Sequence, residues 1–222
     1  MKERPILFSA PMVRALLDGT KTQTRRIVKP QPPANTVEVG TWHHPDEEDG
    51  RGPRFYAWES RPPTRGLFIG GDWCQPCPYG QPGDQLWVRE AIRLVPDLEP
   101  DDATGRVFSV YHADGALTVA DAWPWKRSYL PPMHCPRGLS RVDLEVTGVR
   151  VERLQAIDEA GAIAEGAPHY QEGTDAPPPD GNPEWCWNYR SAYMRLWHQI
   201  NGAGSWDANP WVWVVEFKRV NP

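Results

Sequence analysis

The apolar run near the end of the chain, Trp211-Val-Trp-Val-Val-Glu-Phe217, restricts the fold more than any other segment. Aromatic and β-branched side chains occupy both of its alternating faces, which is typical of a strand covered on both sides. Such a strand needs partner strands along both edges, so we expect it at the centre of a sheet or in the wall of a barrel. The remainder of the chain must supply those partners.

Shorter patterns predict the other regular elements. We expect further strands at residues 5–9, 20–28, 85–90, 107–112 and 142–151, the last of them bent or bulged at Gly148. We expect helices at residues 11–18, 158–165 and 189–200. Ser9 and Asp158 stand where the first two helices begin, and a glycine stands where each of the three ends. The residues predicted to form the inner face of the second helix are Ala160, Ile163 and Ala164.

Twenty-five prolines separate these elements and mark long loops. They concentrate at residues 30–33, 61–63, 76–82, 131–136 and 177–183. We therefore predict insertions with little regular structure at about 30–82, 96–138 and 166–183, within a single domain that spans residues 1–222. Strands interleaved with short helices and long loops favour an α+β fold, a small mixed β-barrel with insertions, over a doubly wound parallel sheet. We expect most of the twelve tryptophans to fill the core.

The formal net charge of -5 argues against a protein that holds long nucleic acid mainly by neutralising phosphates, because that usually needs a basic surface. A small or uncharged ligand is the better expectation. No apolar run approaches the roughly 18 residues of a membrane-spanning helix, and the first residues lack the apolar segment of a secretory signal. We therefore expect a cytoplasmic monomer that does not enter a membrane.

Four cysteines in a chain without a secretory signal are expected to be reduced thiols rather than disulfides. Cys74 and Cys77 form the only close pair. An alternative interpretation is a zinc site whose further ligands would be Cys135, His134 or Cys186. One Cys-x-x-Cys motif without a second matching pair is a weak signal, so we predict ordinary thiols, no metal and no cofactor.

The segment Gly19-Thr-Lys-Thr-Gln-Thr-Arg-Arg26 carries the densest reactive chemistry in the chain. It directly follows a predicted helix, so a rigid element delivers its side chains to whatever lies beyond the helix end. Lys21 is a potential base, Thr24 a potential nucleophile and Arg26 a fixed cation. By itself, such a segment would more often be a solvated strand edge.

Four short motifs follow one another along the chain. They are Gly19-x-Lys21-x-x-Thr24-x-Arg26, Gly83-Asp84-x-Leu86-x-Val88, Leu144-Glu145-Val146-Thr147 and Val215-Glu216-Phe217-Lys218. In this order they resemble the ASCH family of PUA-like β-barrels, and the two ends of the chain look like the larger ASCH proteins common in bacteriophages and prophages. Many ASCH proteins carry glutamate at the position of Thr24. In having threonine at this position, the chain is similar to the family members that hydrolyse N4-acetylcytidine.

The resemblance implies an amidohydrolase that removes acyl groups from the exocyclic N4 amine of cytosine nucleosides without a metal. Its catalytic trio is lysine, threonine and glutamate, and the motif places the first two on Lys21 and Thr24. Counting forward from the strand that begins at Leu144 places the glutamate on Glu165, with Glu90 as the substitute. The residues expected to bind the substrate are Arg26, Glu90, Trp87 and Trp206.

The chemistry sets conditions on this trio. A threonine hydroxyl attacks only when a base takes its proton, and a lysine acts as that base only when its amine is neutral. Burial or the neighbouring Arg25 and Arg26 must therefore lower the pKa of Lys21. Glu165 then donates a proton to the departing cytosine amine. In an ideal strand Lys21 and Thr24 point to opposite faces, so we expect a twist, bulge or turn between them.

Two other functions fit the same scaffold. A non-enzymatic PUA-like module would recognise a modified base in RNA or DNA with the two arginines and an aromatic ring such as Trp87 or Trp206. A ribonuclease would use the same cations at phosphates. The acidic net charge counts against both, and Thr24 in place of the usual carboxylate favours the hydrolase.

Overall fold

The structure is a computed structural model that describes residues 1–42, 54–58, 73–95, 106–120, 123–167 and 188–220. The helices in these ranges are α1 (Ala10–Leu17), α2 (Glu159–Ala164) and α3 (Tyr189–Asn201). The strands are β1 (Glu3–Leu7), β2 (Gln23–Ile27), β3 (Glu38–Trp42), β4 (Arg54–Trp58), β5 (Cys74–Pro76), β6 (Gln85–Arg89), β7 (Ile92–Leu94), β8 (Val107–Tyr111), β9 (Leu117–Ala120), β10 (Tyr129–Leu130), β11 (Asp143–Arg153) and β12 (Trp211–Arg219). None of the helices in the described ranges has the length and apolar composition needed to span a bilayer.

The strands form three sheets, so the fold is α+β with several sheets and few helices. The largest sheet has the strand order β1-β6-β11-β12-β2, in which β1 and β6 are parallel and the pairs β6–β11 and β12–β2 are antiparallel. A four-stranded antiparallel sheet has the order β10-β7-β8-β9, and a three-stranded antiparallel sheet has the order β3-β4-β5. Within the described part of the chain the five-stranded sheet stays open, and the closed barrel expected from the sequence is not seen.

The chain divides into two compact units. The first comprises Met1–Thr20, Gly83–Glu145 and Lys218–Pro222, and the second comprises Lys21–Pro82 and Val146–Phe217. The first unit contains α1 and the four-stranded sheet. One buried apolar cluster of this unit consists of Ile92, Tyr111, Ala120, Cys135 and Leu139. The second unit contains α2, α3 and the three-stranded sheet, and β11 and β12 each have residues in both units.

The core of the second unit explains the apolar character of β12. One apolar cluster joins both helices to this strand, and its members include Ala162 of α2, Ala192, Tyr193 and Trp197 of α3, and Val212 and Val214 of β12. On the other face of β12, the ring of Trp213 packs edge-on against Phe55 of β4, with 4.9 Å between ring centroids. The strand is therefore covered on both faces and lies between β11 and β2, which confirms the prediction of a central strand.

Three details of the sequence-based prediction were wrong. Ala160 and Ile163 of α2 are exposed, and Ala162 and Glu165 point inward instead. A helix of six residues has too short an apolar stripe to fix its own orientation, so the contacts at its two ends decide it. Residues 30–82 contain β3, β4 and β5, and residues 96–138 contain β9 and β10 in addition to the predicted strand β8. Most of the insertion predicted at 166–183 lies outside the described residues.

Of the two residues predicted to cap helices, only Asp158 makes a side-chain capping bond. Their replacement should therefore change the free energy of unfolding by different amounts. Asp158 Oδ1 accepts a hydrogen bond from the Gly161 N–H at 2.7 Å, whereas Ser9 at the start of α1 makes no side-chain capping bond. We expect Asp158→Ala to lower the free energy of unfolding by about 1 kcal/mol. Ser9→Ala should stay within about 0.5 kcal/mol of the wild type. Urea unfolding measures both, and equal losses would contradict a capping role for Asp158.

Candidate functional site

Lys21 and Glu165 form a buried ion pair in the second unit, although 144 residues separate them in the sequence. The Lys21 Nζ donates to Glu165 Oε2 at 3.1 Å and to the Glu165 backbone carbonyl at 2.7 Å. Lys21 is 3% exposed and Glu165 is 2% exposed. The structure thus brings together two of the three residues that the sequence predicts to be catalytic.

The ends of two elements hold this pair in place. Lys21 lies just ahead of β2, and the next residue, Thr22, donates its N–H to the carbonyl of Ala164 at 2.8 Å. Ala164 is the last residue of α2, and Glu165 follows it with a helical backbone. The Glu165 N–H donates to the Gly161 carbonyl at 3.0 Å, so the glutamate belongs to the last helical turn. Lys21 and Glu165 therefore meet because the start of β2 is tied to the end of α2.

Arg25 connects the pair to a second glutamate. Its Nη1 donates to Glu165 Oε1 at 3.1 Å, while its Nε and Nη2 donate to Glu152 Oε1 at 3.1 and 2.5 Å. The guanidinium fits against α2 because residue 161 is a glycine, and a Cβ there would lie only 3.2 Å from Arg25 Nη2. We call Lys21, Glu165, Arg25 and Glu152 the ion network. Glu165 divides its two oxygens between the lysine and the arginine.

Burial lowers the pKa of the Lys21 amine below its ordinary value of 10.5, and the positive charges of Arg26 and Arg25 lower it further. The charge of Glu165 and its hydrogen bond act in the opposite direction, but the cost of desolvating the ammonium is the larger effect. A lysine that acts as a base needs a lowered pKa, and the pKa of Lys21 is shifted in that direction. Both causes named in advance, burial and neighbouring arginines, contribute.

This shift predicts a pH dependence of stability. Because the folded-state pKa of Lys21 lies below the unfolded value, the folded protein binds fewer protons than the unfolded chain at pH values between the two. The contribution of Lys21 to the free energy of unfolding therefore rises with pH through that window. Urea unfolding of wild type and Lys21→Met, from about pH 7 to about pH 10, should show a steeper rise for the wild type. Parallel curves would contradict the lowered pKa.

Thr24 and Arg26 lie on the other face of β2. Gln23 and Arg25 both reach α2, Gln23 by donating its Nε2 to the Gly161 carbonyl at 2.8 Å. Because side chains alternate along a strand, Thr24 points away from α2, on the face that it shares with its cross-strand partner Val215. The Lys21 ammonium donates to the carboxylate and to the backbone carbonyl of Glu165. The twist, bulge or turn expected between Lys21 and Thr24 therefore does not bring Thr24 to the α2 side of β2.

Glu90, the substitute carboxylate, is buried in the first unit, at 1% exposure. Its Oε1 and Oε2 accept from Arg141 Nε and Nη2 at 2.8 and 2.9 Å. Arg141 also binds Asp114, and its guanidinium lies 3.9 Å from the centre of the Tyr111 ring. This bidentate pairing occupies both oxygens of Glu90, and the Tyr111 ring contacts the guanidinium that binds them.

The two tryptophans predicted to bind substrate occupy different environments. Trp87 of β6 is half-buried, with the guanidinium groups of Arg89 and Arg137 5.3 and 6.0 Å from its ring centre. Trp206 is 5% exposed and belongs to the core of the second unit, where its ring lies 6.4 Å from that of Tyr193. Trp206 is therefore a packing residue, because its surface is covered by protein.

The zinc alternative gains no ligand set from the structure. Among the residues that the structure describes, no three His, Cys, Asp or Glu side chains are grouped so that they could hold a metal ion. Cys186, one of the residues considered for such a site, lies outside the described ranges. The thiol of Cys135 is buried in the first unit, and this burial raises its pKa.

Two residues at the site were not identified from the sequence. Glu152 is the second partner of Arg25, and nothing in the alternating pattern of β11 distinguishes it from other polar positions. Tyr193 of α3 is 3% exposed, and burial raises the pKa of its hydroxyl well above 10.0. The charge of Glu165 raises this pKa further, while Arg25 opposes it. The amphipathic pattern of α3 predicts that Tyr193 is buried but not that it faces charges.

Comparisons of the chain with protein-family models, with curated proteins and with solved structures gave no match. The site is therefore interpreted from its own geometry, and the family resemblance remains a prediction from the motifs.

Proposed function

We propose that the protein is an amidohydrolase of the ASCH type, with an elaborated PUA-like fold, that removes acyl groups from the exocyclic N4 amine of cytosine nucleosides. The observation that carries the proposal is the buried contact between Lys21 and Glu165. These residues have the roles of base and acid in the proposed reaction. The net charge of -5 supports a free nucleoside as the substrate rather than a nucleic acid, and we propose a cytoplasmic monomer.

The pair can reach the protonation states that the reaction needs by an internal proton transfer. Moving one proton from Lys21 Nζ to Glu165 Oε2, along the 3.1 Å hydrogen bond, converts an ion pair into a neutral amine and a carboxylic acid. A buried environment favours such neutral forms over separated charges. Arg25 opposes the transfer because it stabilises the carboxylate, so its presence limits how much of the neutral form exists at rest.

The proposed reaction then has two steps. The Lys21 amine takes the proton of the Thr24 hydroxyl, whose oxygen attacks the acyl carbonyl carbon, and Glu165 gives its proton to N4 as the carbon–nitrogen bond breaks. The products of this step are the free cytosine amine and an ester on Thr24. Lys21 then returns its proton to Glu165. The neutral amine takes a proton from water, whose oxygen attacks the ester and releases a carboxylic acid, and the Thr24 oxygen takes that proton back from Lys21. The threonine is thereby regenerated, and one water is consumed in each cycle.

The orientation of Thr24 gives the same reaction a second route. Lys21 and Glu165 lie on the α2 side of β2, while Thr24 lies on the face opposite. Water activated by Lys21 would reach the acyl carbon without a covalent intermediate. In both routes Lys21 takes the proton of the nucleophile and Glu165 protonates the leaving amine. Since both side chains are closed to solvent, each route requires an opening beside Lys21 when the substrate binds.

The two nucleic-acid functions have less support from the geometry. Arg25 is 5% exposed and binds two carboxylates, so its guanidinium is not displayed to a base or a phosphate. Trp206 lies in a core and is not displayed for stacking. Of the four side chains considered for these functions, a base-binding module or a ribonuclease would therefore depend on Arg26 and Trp87.

One assay tests the proposal. Purified protein is incubated with N4-acetylcytidine and with bulkier N4-acyl cytidines, and release of cytidine is followed with and without a chelator. We expect turnover that the chelator does not change. Absence of turnover on every acyl cytidine would refute the hydrolase, and loss of activity with chelator would favour a metal at Cys74 and Cys77.

The nucleophile is then decided by two further variants. Thr24→Ser keeps a hydroxyl, whereas Thr24→Ala removes it. Attack by threonine predicts that the serine variant retains much of the activity and the alanine variant almost none. Attack by water predicts that both variants remain active. Rapid mixing adds a second criterion, because only the ester route gives a burst of cytidine before steady state.

A further inference from the structure

The ion network continues beyond the two residues that the proposed reaction uses. Arg25 is 5% exposed and its guanidinium forks between two carboxylates, with Nη1 on Glu165 and with Nε and Nη2 on Glu152. The second oxygen of Glu152 accepts from Arg150 Nε at 3.1 Å. Arg150 in turn contacts Glu216, where the structure reaches solvent. The chain of contacts thus runs from the buried Lys21 to the surface, with charges that alternate in sign.

We propose that Arg25 and Glu152 are positioning residues for the Lys21–Glu165 pair, in which Arg25 holds one carboxylate oxygen of Glu165 and Glu152 fixes the guanidinium of Arg25. The inference rests on the proposed function in so far as the pair is catalytic. Its physical content concerns only how readily Lys21 holds a proton, and that property can be measured without turnover.

The division of the Glu165 oxygens is the first step of the argument. Arg25 takes Oε1, so Lys21 has access only to Oε2 and to the backbone carbonyl. Without Arg25, the carboxylate could turn both oxygens toward the ammonium, and a nearby positive charge would also be lost. Both changes stabilise the charged form of Lys21. Removal of Arg25 should therefore make Lys21 harder to deprotonate.

Glu152 has the opposite effect on Lys21. Its negative charge neutralises Arg25, and its Oε1 accepts hydrogen bonds from both Nε and Nη2 of the guanidinium. Without this carboxylate, Arg25 would be bound only by Glu165 and would compete more strongly with Lys21 for it. The buried region would also lose one negative charge. Both changes destabilise the ammonium, so removal of Glu152 should make Lys21 easier to deprotonate.

Other charged and titratable groups face the same region and must stay unchanged in the test. In the described part of the chain they include Arg26 on β2, Tyr193 on α3 and Arg150 on β11. Arg26 acts on Lys21 in the same direction as Arg25, and Tyr193 keeps its proton because burial raises the pKa of its hydroxyl. The opposed signs expected for Arg25 and Glu152 separate positioning from a general loss of structure, which would shift Lys21 in one direction for both variants.

The experiment is an NMR titration of the Lys21 side chain in protein labelled with ¹³C and ¹⁵N at lysine, with the Lys21 signal assigned by its absence in Lys21→Arg. Glu152→Gln should move the Lys21 midpoint to lower pH, and Arg25→Gln should move it to higher pH. Glu216→Gln is the matched control, because it removes the same charge at the exposed end of the chain of contacts. This variant should leave the midpoint in place.

The comparison of Glu152→Gln with Glu216→Gln decides the inference even if Arg25→Gln does not fold. Equal midpoints in these two variants would overturn it, and so would a Glu152→Gln shift to higher pH. A Lys21 midpoint that moves as expected in a protein without hydrolase activity would refute the proposed function and leave the positioning role intact. In an active enzyme, the pH–rate profile of Glu152→Gln should shift in the same direction as the NMR midpoint.

Discussion

Replacing Lys21 by methionine should lower kcat/KM for N4-acetylcytidine by about 10²- to 10⁴-fold, the usual contribution of a positioned general base. Methionine keeps the length of the side chain but has no amine to accept a proton. Loss of one partner of a buried ion pair typically costs about 3–5 kcal/mol of stability. Arg25 still binds Glu165 in the variant, so we expect a loss near the lower value and a folded protein. Steady-state kinetics and urea unfolding measure the two effects separately.

Lys218→Met provides the matched control for this substitution. Lys218 also pairs with a glutamate at 3.1 Å, but its side chain is 62% exposed and that of its partner Glu145 is 37% exposed. Because exposed pairs contribute little, we expect stability within about 1 kcal/mol of wild type and unchanged kinetics. Lys21→Arg adds a chemical test, since a guanidinium keeps the charge but does not act as a base. Near wild-type activity in Lys21→Met or Lys21→Arg would mean that the pair is structural.

Exchanging Glu165 for glutamine should have a comparable effect on activity, about 10²- to 10⁴-fold, because the amide gives the leaving amine no acidic proton. Glu90→Gln is the matched control, because it makes the same substitution at another buried glutamate. Both glutamates are buried and bound by an arginine, so both substitutions should destabilise the fold to a similar degree. Only Glu165 contacts a lysine. Cytidine release by the two purified variants measures the difference directly.

The outcome also decides between the two carboxylates considered from the sequence. Loss of activity in Glu90→Gln with full activity in Glu165→Gln would transfer the catalytic role to the first unit and refute the proposed site. Wild-type activity in both variants would mean that neither Glu90 nor Glu165 takes part in the reaction. We expect Glu165→Gln alone to lose turnover.

The elements of the fold were largely predictable because each leaves a local pattern. Three examples are the apolar faces of β12, the alternation in β11 and the glycine after α1. Each of these patterns can be read from a segment of about ten residues. The sheet order is not local, and neither is the pairing of β3, β4 and β5, whose strands stand in a segment rich in glycine and proline. Composition therefore suggested loops where cross-strand contacts, invisible in a single segment, form a sheet.

The site shows the same limit more sharply. The motif pointed to Lys21, and counting forward from Leu144 pointed to Glu165. The structure places the two side chains in contact, and their catalytic roles stay a prediction. The apolar stripe of α2 suggested that Ile163 turns inward, yet it is exposed, since the capping bond of Asp158 and the ion pair of Glu165 orient this short helix. The role of Glu152 depends on the fork of Arg25, a three-dimensional relation that no spacing reveals.

The pH dependence of N4-acetylcytidine hydrolysis by the wild-type protein tests the central claim most directly. A base and an acid that share one proton predict that kcat/KM, after subtraction of the uncatalysed reaction, falls with pH through an inflection below 10.5, where the Lys21–Glu165 pair loses that proton, and that Lys21→Met abolishes this inflection. A profile that is flat, or that keeps the same inflection in Lys21→Met, would contradict the assignment of Lys21 as the base.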